Sequence, residues 1–476
     1  MDFKKLKKIL LMFMAALLIL VVGIYVVSFE QFRHKAVEGY APEAEFIIGE
    51  ITDETVIREE ITAQSEYVDR IEIMAGTYDR VNSSSFTVKI FDKDKNELIN
   101  ESFSSSLLNN NSYKAFYFSN PVSINKCDLL TIEISAENTA DGGSFTIYAG
   151  NVLNSDGNET SFTFGENTVD GTLCVKLSGY NNSSFYIIYW VIVAALFAFL
   201  IVYTARCFKK MKNNKPNLLS SVYVLFTKYN FLIKQLVSRE VKTKYKRSAL
   251  GMAWSIMNPL LSMGVQYFIF STIFNSNIPN YPVYLLTGIV FFNFFTEALT
   301  MGMTAIISNA PLIKKVYMPK YIYPVTRVMS SLVNFMCALV PLLLMILLTG
   351  TAIKPAIFLL VFDIICYLLF IIGLTLILTT AMTFFQDTQF LWGIISLLWQ
   401  YVTPIFYPET IIPKVFLPIY RLNPMYQYIT FARTCIIDGV SPEPFMYLQC
   451  IISAVVFLVL GIYIFKKNQN KFVLYL

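Results

Sequence analysis

The hydrophobic positions along this 476-residue chain follow two different rhythms. Long apolar runs occupy residues 9–28 and 185–203, and six more lie near 249–274, 283–307, 322–349, 355–384, 389–407 and 444–465. A helix rising ~1.5 Å per residue needs ~20 apolar residues to cross the ~30 Å hydrocarbon layer of a bilayer. Eight membrane spans are therefore predicted. Between the first two, residues 30–182 alternate apolar and polar positions with the period of half-buried strands. Ile71-Glu72-Ile73, Phe86-Thr87-Val88-Lys89-Ile90, residues 113–118 and Leu130-Thr131-Ile132-Glu133-Ile134 are the clearest stretches. Turn-forming clusters at 92–96, 109–112, 141–143 and 154–158 separate them. Short strands at this spacing predict a sandwich or jelly roll. The fold class is a mainly α-helical polytopic membrane protein, six core spans plus two extra spans, with an inserted all-β domain.

Two segments fit neither rhythm. Leu218, Val222, Leu225, Tyr229, Leu232 and Leu236 recur at helical spacing, with Lys228, Lys234, Arg239 and Lys242 between or just beyond them. That pattern predicts an amphipathic helix lying along the inner membrane surface; an ordinary core helix is the alternative. Residues 404–434 hold Pro404, Pro408, Pro413, Pro418 and Pro424 among apolar and aromatic residues. They are too broken for a span and too apolar for a free loop, so re-entrant or interfacial helices on the outer face are expected. The implied organisation is an N-terminal anchor (1–29), a β-domain (30–182), a second anchor with a basic linker (183–216), an interfacial helix and gate (217–247), and a six-span domain (248–476).

Composition agrees with lipid surroundings: 55% of residues are hydrophobic and 15% charged, outside the balance of soluble globular chains. Charge decides the sidedness. Residues 30–182 carry 25 of the 33 acidic residues and 11 of the 38 basic ones, leaving 8 acids and 27 bases elsewhere. With both termini in the cytoplasm and the β-domain outside, 23 of those 27 bases fall on the cytoplasmic side; Lys354, Lys414, Arg421 and Arg433 do not. The positive-inside rule accounts for the basic residues, so no nucleic-acid partner is needed to explain them. The first run reads as a retained anchor, being longer than a signal-peptide core and lacking a clear cleavage site.

Candidate chemistry is sparse. His34 is the lone histidine, and the seven cysteines show no Cys-x-x-Cys spacing, which argues against metal clusters and Cys/His nucleophile pairs. No catalytic and no metal-binding residue is assigned. Cys127 and Cys174, both in the β-domain, are either a disulfide or two separate buried thiols. Glu297 and Asp363 fall inside predicted spans, where ionisable groups are costly and point to function. Only Asp2, Glu240 and Asp387 remain as cytoplasmic acids, too scattered for the metal and sugar-diphosphate site of a glycosyltransferase.

Several motifs carry a family resemblance. They are Arg239-Glu240-Val241-Lys242-Thr243-Lys244-Tyr245-Lys246-Arg247-Ser248-Ala249-Leu250-Gly251 with Trp254 and Asn258-Pro259; Tyr284-Leu285-Leu286-Thr287-Gly288; Phe294-Phe295-Thr296-Glu297-Ala298-Leu299; Ser308-Asn309-Ala310-Pro311-Leu312-Ile313-Lys314-Lys315-Val316-Tyr317-Met318-Pro319; Thr403-Pro404-Ile405-Phe406-Tyr407-Pro408; and Asn423-Pro424. In this order and spacing, residues 239–440 resemble the permease subunits of type-2 ABC exporters for polysaccharide, O-antigen or teichoic acid. One departure is Phe385-Gln386-Asp387, where that family usually has aromatic-Arg-Asp.

The resemblance implies ATP-driven export of a lipid-linked cell-envelope polysaccharide or teichoic-acid-like polymer across the cytoplasmic membrane of a bacterium. The chain contains no Gly-x-x-x-x-Gly-Lys-Ser/Thr phosphate loop. It is therefore expected not to be an enzyme and to bind no cofactor, with ATP and Mg on a separate ATPase subunit. The expected partners are two ATPase copies, a second copy of this chain, the lipid-linked glycan and membrane lipids. Asn309, Pro311, Leu312, Ile313, Lys314, Lys315, Val316, Tyr317, Met318 and Pro319 would form the coupling helix that the ATPase pushes, the two lysines serving also as topology anchors. Arg239, Lys242, Lys244, Tyr245, Lys246 and Arg247 resemble a cytoplasmic gate for an anionic headgroup, or anchor topology alone. Glu297, Tyr267, Phe291, Phe294, Trp399, Tyr401, Phe406 and Tyr407 would line the path, their rings otherwise facing lipid or an interface belt. The β-domain either binds the emerging glycan or is a spacer or assembly contact. Alternatives are an ABC-type exporter of small molecules or drugs, which has no need of an outer β-domain, and a membrane-anchored envelope glycan receptor, which would be expected to carry a cytoplasmic signalling domain.

Overall fold

The computed structural model describes residues 3–53, 55–78, 80, 82–126, 128–139, 144–151, 160–212, 229–246, 248, 250–273, 280–315, 318–413 and 415–476. It divides into two compact units, Glu30–Ile187 and Met1–Phe29 with Ile188–Leu476.

The first unit is all-β apart from short turns of helix. One sheet runs in the order His34–Val37, Val175–Asn182, Tyr67–Gly76, Thr146–Gly150, Thr172–Leu173, with Ser112–Ser123 paired to Tyr67–Gly76 and Phe46–Ile47 to Thr146–Gly150. The other runs Asn167–Asp170, Ser161–Phe164, Val56–Thr62, Leu129–Glu137, Ser85–Phe91, Glu97–Ser104. All pairings are antiparallel, and the register carries the sequence alternation into one core. Ile134 faces Ile57 on one side and Val88 on the other, while Ile71 sits between Phe116 and Leu177. All these residues belong to a single buried cluster shared by the two sheets. The turn at 92–96 closes because the Asp92 carboxylate accepts the Asn96 N–H at 2.8 Å while Lys95 takes a left-handed φ of 63°. Gly179 is required at a bulge, since a Cβ there would lie 1.8 Å from the Tyr67 carbonyl oxygen. Cys174 is a free, buried thiol 3.7 Å from the Pro42 carbonyl oxygen, so it is not half of a disulfide. Cys127 lies outside the described residues.

The second unit is helical. Its elements are α1 (Phe3–Val27), α2 (Phe185–Lys212, whose first residues close the β unit), α3 (Asn230–Lys244), α4 (Trp254–Ile273), α5 (Tyr281–Met303), α6 (Ala310–Lys315), α7 (Ile322–Leu348), α8 (Leu360–Phe384), α9 (Thr388–Val402), α10 (Pro424–Arg433) and α11 (Pro444–Asn468). Among the described residues, six helices are long and apolar enough to cross a membrane: α1, α2, α5, α7, α8 with its preceding turn, and α11. The other two predicted spans are not among these six, and the run 249–274 does not lie wholly within the described residues. The run 389–407 becomes a 15-residue helix, α9, about 22 Å long, because the chain leaves the helix before Pro404. Helix α4 contains Ser255, Asn258, Ser262 and Gln266 and bears Pro259 within its first two turns. Of the predicted amphipathic helix only the part from Asn230 onward is described.

Close packing holds the long helices. At the α8–α11 crossing, a Cβ on Gly461 would meet the Gly373 oxygen at 2.1 Å, so the backbones touch, as small residues permit in apolar bundles. Hydroxyls fasten the two extra helices. Tyr189 Oη donates to the Val21 carbonyl at 2.7 Å, joining α2 to α1. Ser28, just past α1, forms a buried hydroxyl triangle with Ser441 and Tyr447, with edges of 2.7–3.0 Å. Asp363 is fully buried in α8, and neither of its carboxylate oxygens has a hydrogen-bond partner.

The β unit also buries a carboxyl group. Glu59 accepts the Leu173 N–H at 3.1 Å through one oxygen, and its other oxygen is unpartnered. Burial holds this carboxyl well above its ordinary value of 4.5, at about 8. The folded state thus keeps the proton to about pH 8 while the unfolded chain releases it near 4.5. The stabilisation is complete below 4.5 and is lost progressively as pH rises from 4.5 towards 8. Calorimetry of full-length Glu59→Gln should show a flatter pH dependence of the β-unit transition, with a gain on the order of 3 kcal/mol at pH 7 at ~1.4 kcal/mol per unit. Equal pH dependence in the two proteins would exclude Glu59 as the cause.

Candidate functional site

The chain leaves α3 at Tyr245, turns at Gly251 in a left-handed conformation with φ 50°, and enters α4 at Trp254. Pro259 contributes no N–H for the Ser255 carbonyl, which loosens the first turn of α4. This turn faces α5 and α7 across a cavity of about 300 Å³. Its walls carry Lys244, Tyr245, Ser255, Asn258, Asn293, Glu297 and Asn334 alongside Trp254, Phe294 and Phe335.

A hydrogen-bonded chain ties the walls together. Lys244 Nζ donates to Glu297 Oε1 at 2.9 Å, and Asn334 Nδ2 donates to the same oxygen at 2.6 Å. Tyr245 Oη donates to Asn334 Oδ1 at 3.1 Å and is paired with the Ser255 hydroxyl. Four elements are thereby connected: the end of α3, the start of α4, α5 and α7. The Lys244 and Glu297 side chains are 37% and 27% exposed, so the pair is not sealed inside the chain. The set comprises an ammonium, a carboxylate, three amides and aromatic walls. Such a set binds polyhydroxylated or anionic groups by hydrogen bonds and ring contact.

Of the expected residues, Lys244, Tyr245, Glu297 and Phe294 come together here. Arg239, Lys242 and Lys246 lie on the exposed side of α3 and its C-terminal turn, away from the lining; Arg247 lies outside the described residues. Phe291 is buried against Phe335 and Tyr367 and supports the wall from behind, so it does not itself line the cavity. Asn334 and Asn293 were not singled out from sequence. Their signal was a lone amide within an apolar span.

The remaining aromatics gather elsewhere, around Arg433. Its guanidinium donates to the carbonyls of Tyr284, Pro404 and Ile405 at 2.7–3.3 Å and lies 3.4 Å over the Tyr284 ring. Gly288 makes room, since a Cβ there would sit 2.8 Å from Arg433 Nη2. Tyr284 Oη donates to the Tyr407 carbonyl at 2.8 Å and Tyr281 Oη to the Phe406 carbonyl at 2.7 Å. Phe406 stacks on Phe270, Trp399 Nε1 donates to Asn423 Oδ1 at 2.8 Å, and Tyr407 Oη donates to the Tyr401 carbonyl. Motifs 284–288 and 403–408 thus form a clamp centred on an arginine that charge counting had placed in an outer loop. Tyr267 packs near Tyr281, and the Tyr401 side chain is exposed.

The segment expected to meet a partner forms α6. Asn309 starts it, its carbonyl accepting the N–H groups of Leu312 and Ile313 at 3.0 Å and its amide donating to the Ala305 carbonyl at 2.8 Å. Leu312, Ile313 and Met318 pack on a cluster with Ile306, Tyr323, Phe465 and Phe472. Pro311, Lys314 and Lys315 are exposed, and Lys314 Nζ donates to the Leu476 main-chain oxygen at 2.8 Å. Pro319 accepts the Ile322 N–H. Val316 and Tyr317 lie outside the described residues.

Residues 231–437, which contain the cavity, α6 and the arginine clamp, match the family model for the ABC-2 type transporter. The chain is 30% identical over 253 residues to an O-antigen export system permease protein RfbA of Klebsiella pneumoniae, covering 52% of this chain and 96% of that one. A protein of the same description from Myxococcus xanthus is 29% identical over 248 residues (51% and 95%). The polysialic acid transport protein KpsM of Escherichia coli is 21% identical over 241 residues (50% and 93%). The unit Glu30–Ile187 lies upstream of the matched region.

An exposed ion pair of this kind contributes ~1 kcal/mol or less to stability, so exchanging its charges should affect function more than folding. Lys244→Glu alone is expected to lower cargo transport at least about tenfold, and Lys244→Glu with Glu297→Lys to recover most of it, the coupling being readable as a double-mutant cycle. Additive losses measured in cells expressing each variant would show that the pair does not act as a unit.

Proposed function

This chain belongs to the ABC-2 type transporter family, and on that footing we propose that it is the membrane subunit of an ATP-driven exporter for a lipid-linked cell-envelope polysaccharide or teichoic-acid-like polymer. The observation that carries the proposal is the polar-walled cavity among apolar helices within the family-matched segment. Hydrocarbon offers such groups no partners, so polar walls there argue for polar cargo. The functions of the relatives, O-antigen export and polysialic acid transport, support a glycan.

In this proposal α4 and α9 complete an eight-span arrangement with both termini cytoplasmic and the β unit outside, supported by the distribution of basic residues. A second copy of the chain covers α9. Phe390, Ile394 and Leu398 form one apolar stripe at i, i+4, i+8, with 74%, 70% and 65% exposure, on a helix too short to cross the bilayer unaided. Two ATPase subunits hold ATP and Mg and push on α6, and the cavity widens between the two copies. Lys244 exchanges its carboxylate partner for the anionic headgroup of the cargo lipid as the gate opens.

Depletion of the protein should cause lipid-linked glycan to accumulate on the cytoplasmic leaflet, measured by extraction and mass spectrometry. If no such precursor builds up, the glycan-export proposal is wrong. Lys314→Glu with Lys315→Glu is expected to cut co-purifying ATPase at least about tenfold, a loss of ~1.4 kcal/mol or more. Undiminished co-purification would remove α6 from the contact.

A further inference from the structure

We propose that Glu240 is the joint through which movement of α6 reaches the cavity, a positioning residue whose role rests on the exporter proposal above. Glu240 lies outside the cavity lining, and its carboxylate is gripped from two directions. Arg327, at the base of α7, donates Nη1 to Oε2 in a short contact, and Arg239 donates Nη2 to Oε1 at 3.3 Å. Each arginine also holds the start of the coupling segment. Arg327 Nη2 donates to Ser308 Oγ at 3.3 Å, and Arg239 Nη2 to Asn309 Oδ1 at 3.5 Å. Asn309 in turn carries the first N–H groups of α6. Three elements, α3, α7 and the lead into α6, therefore meet at one carboxylate.

The other end of the linkage lies one turn further along α3. Glu240 and Lys244 are four residues apart, so they share a helix face at a separation of ~6 Å along the axis. Lys244 reaches Glu297 on α5, and the next residue, Tyr245, reaches Asn334 on α7. A displacement of Ser308 and Asn309 thus pulls through two guanidinium groups on a rigid turn of helix whose far end closes the cavity. Leu236 is the one fully buried side chain of α3 among the described residues, so the polar contacts add to its packing on α7 in setting its position. Glu240 and Arg327 are 13% and 18% exposed. A charge removed at that depth is poorly replaced by water and leaves its partners unbalanced. Without Glu240 the route from Ser308 through Arg327 to α3 opens while α6 itself is untouched, and only the 3.5 Å Arg239–Asn309 contact still joins α3 to the lead into α6.

The test uses the full chain assembled with its ATPase in proteoliposomes, reading hydrolysis and export in the same sample. E240Q should hydrolyse ATP within about twofold of wild type while export falls at least about tenfold, a split that loss of folding or assembly would not produce. E240D, which keeps the charge, should recover export to within about threefold of wild type. If E240Q fails to assemble, R327K serves. It keeps the charge but cannot span Glu240 and Ser308 together, and the same split is expected. A second readout follows the gate directly. In K244C/E297C protein, cross-linking by a short bifunctional thiol reagent should change when nucleotide is trapped, and adding E240Q should abolish that change. Hydrolysis and export falling in proportion, or nucleotide-dependent cross-linking that survives E240Q, would overturn the assignment. A wild-type complex that shows no nucleotide-dependent export, together with K244C/E297C protein that shows no nucleotide-dependent cross-linking while Glu240 is intact, would instead sink the exporter proposal on which the joint depends.

Discussion

Inside a hydrocarbon layer there is no water to replace a missing hydrogen-bond partner, so each polar side chain on an apolar helix has to find its match in a neighbouring element. That constraint organises the helical unit. The Ser28, Ser441 and Tyr447 hydroxyls close a triangle between the end of α1 and the start of α11. Tyr281 and Tyr284 of α5 reach carbonyls of the non-helical segment after α9. Lys244, Glu297, Asn334, Tyr245 and Ser255 satisfy one another around the cavity. Among the described residues Asp363 is an exception, both its oxygens being buried without a partner, and the Tyr323 and Thr375 hydroxyls are others.

Two of these arrangements differ in how easily they exchange partners. Arg433 spends its donors on three carbonyls and its face on an aromatic ring. Removing it would strand main-chain oxygens in a dry interior, so it behaves as a fixed pin between α5, α10 and the chain at 403–408. Lys244 meets Glu297 through one hydrogen bond with both side chains partly exposed. Water or an incoming anion can replace either partner at little cost. One end of α5 is thus locked by its chemistry and the other is held by an exchangeable contact. The proposed gate at Lys244 would use that asymmetry.

The β unit follows a separate logic. Its core is the alternating inward face of two antiparallel sheets, which needs no lipid. Glu59 is a carboxyl buried in this unit, and burial keeps it protonated through neutral pH.

Much of the architecture could be read from residue order because the determining forces act locally. Strand alternation, apolar runs of helix-spanning length and proline-interrupted stretches are properties of neighbouring residues, and the structure contains sheets, long helices and short broken helices in those places. The motifs at 239–251, 284–288 and 308–319 also located the cavity wall, the clamp and α6. The tertiary structure alone decided which polar groups meet. Tyr245 finds Asn334 and Arg327 finds Glu240 across nearly ninety residues, and Arg433 finds Tyr284 across 149. No periodicity encodes such pairs; they form because packing brings these elements side by side. The same reason separates Phe294, which faces the cavity, from Phe291, three residues earlier and sealed behind it. Apolar character in the sequence states that a ring avoids water, and only the crossing of the helices states what it faces instead.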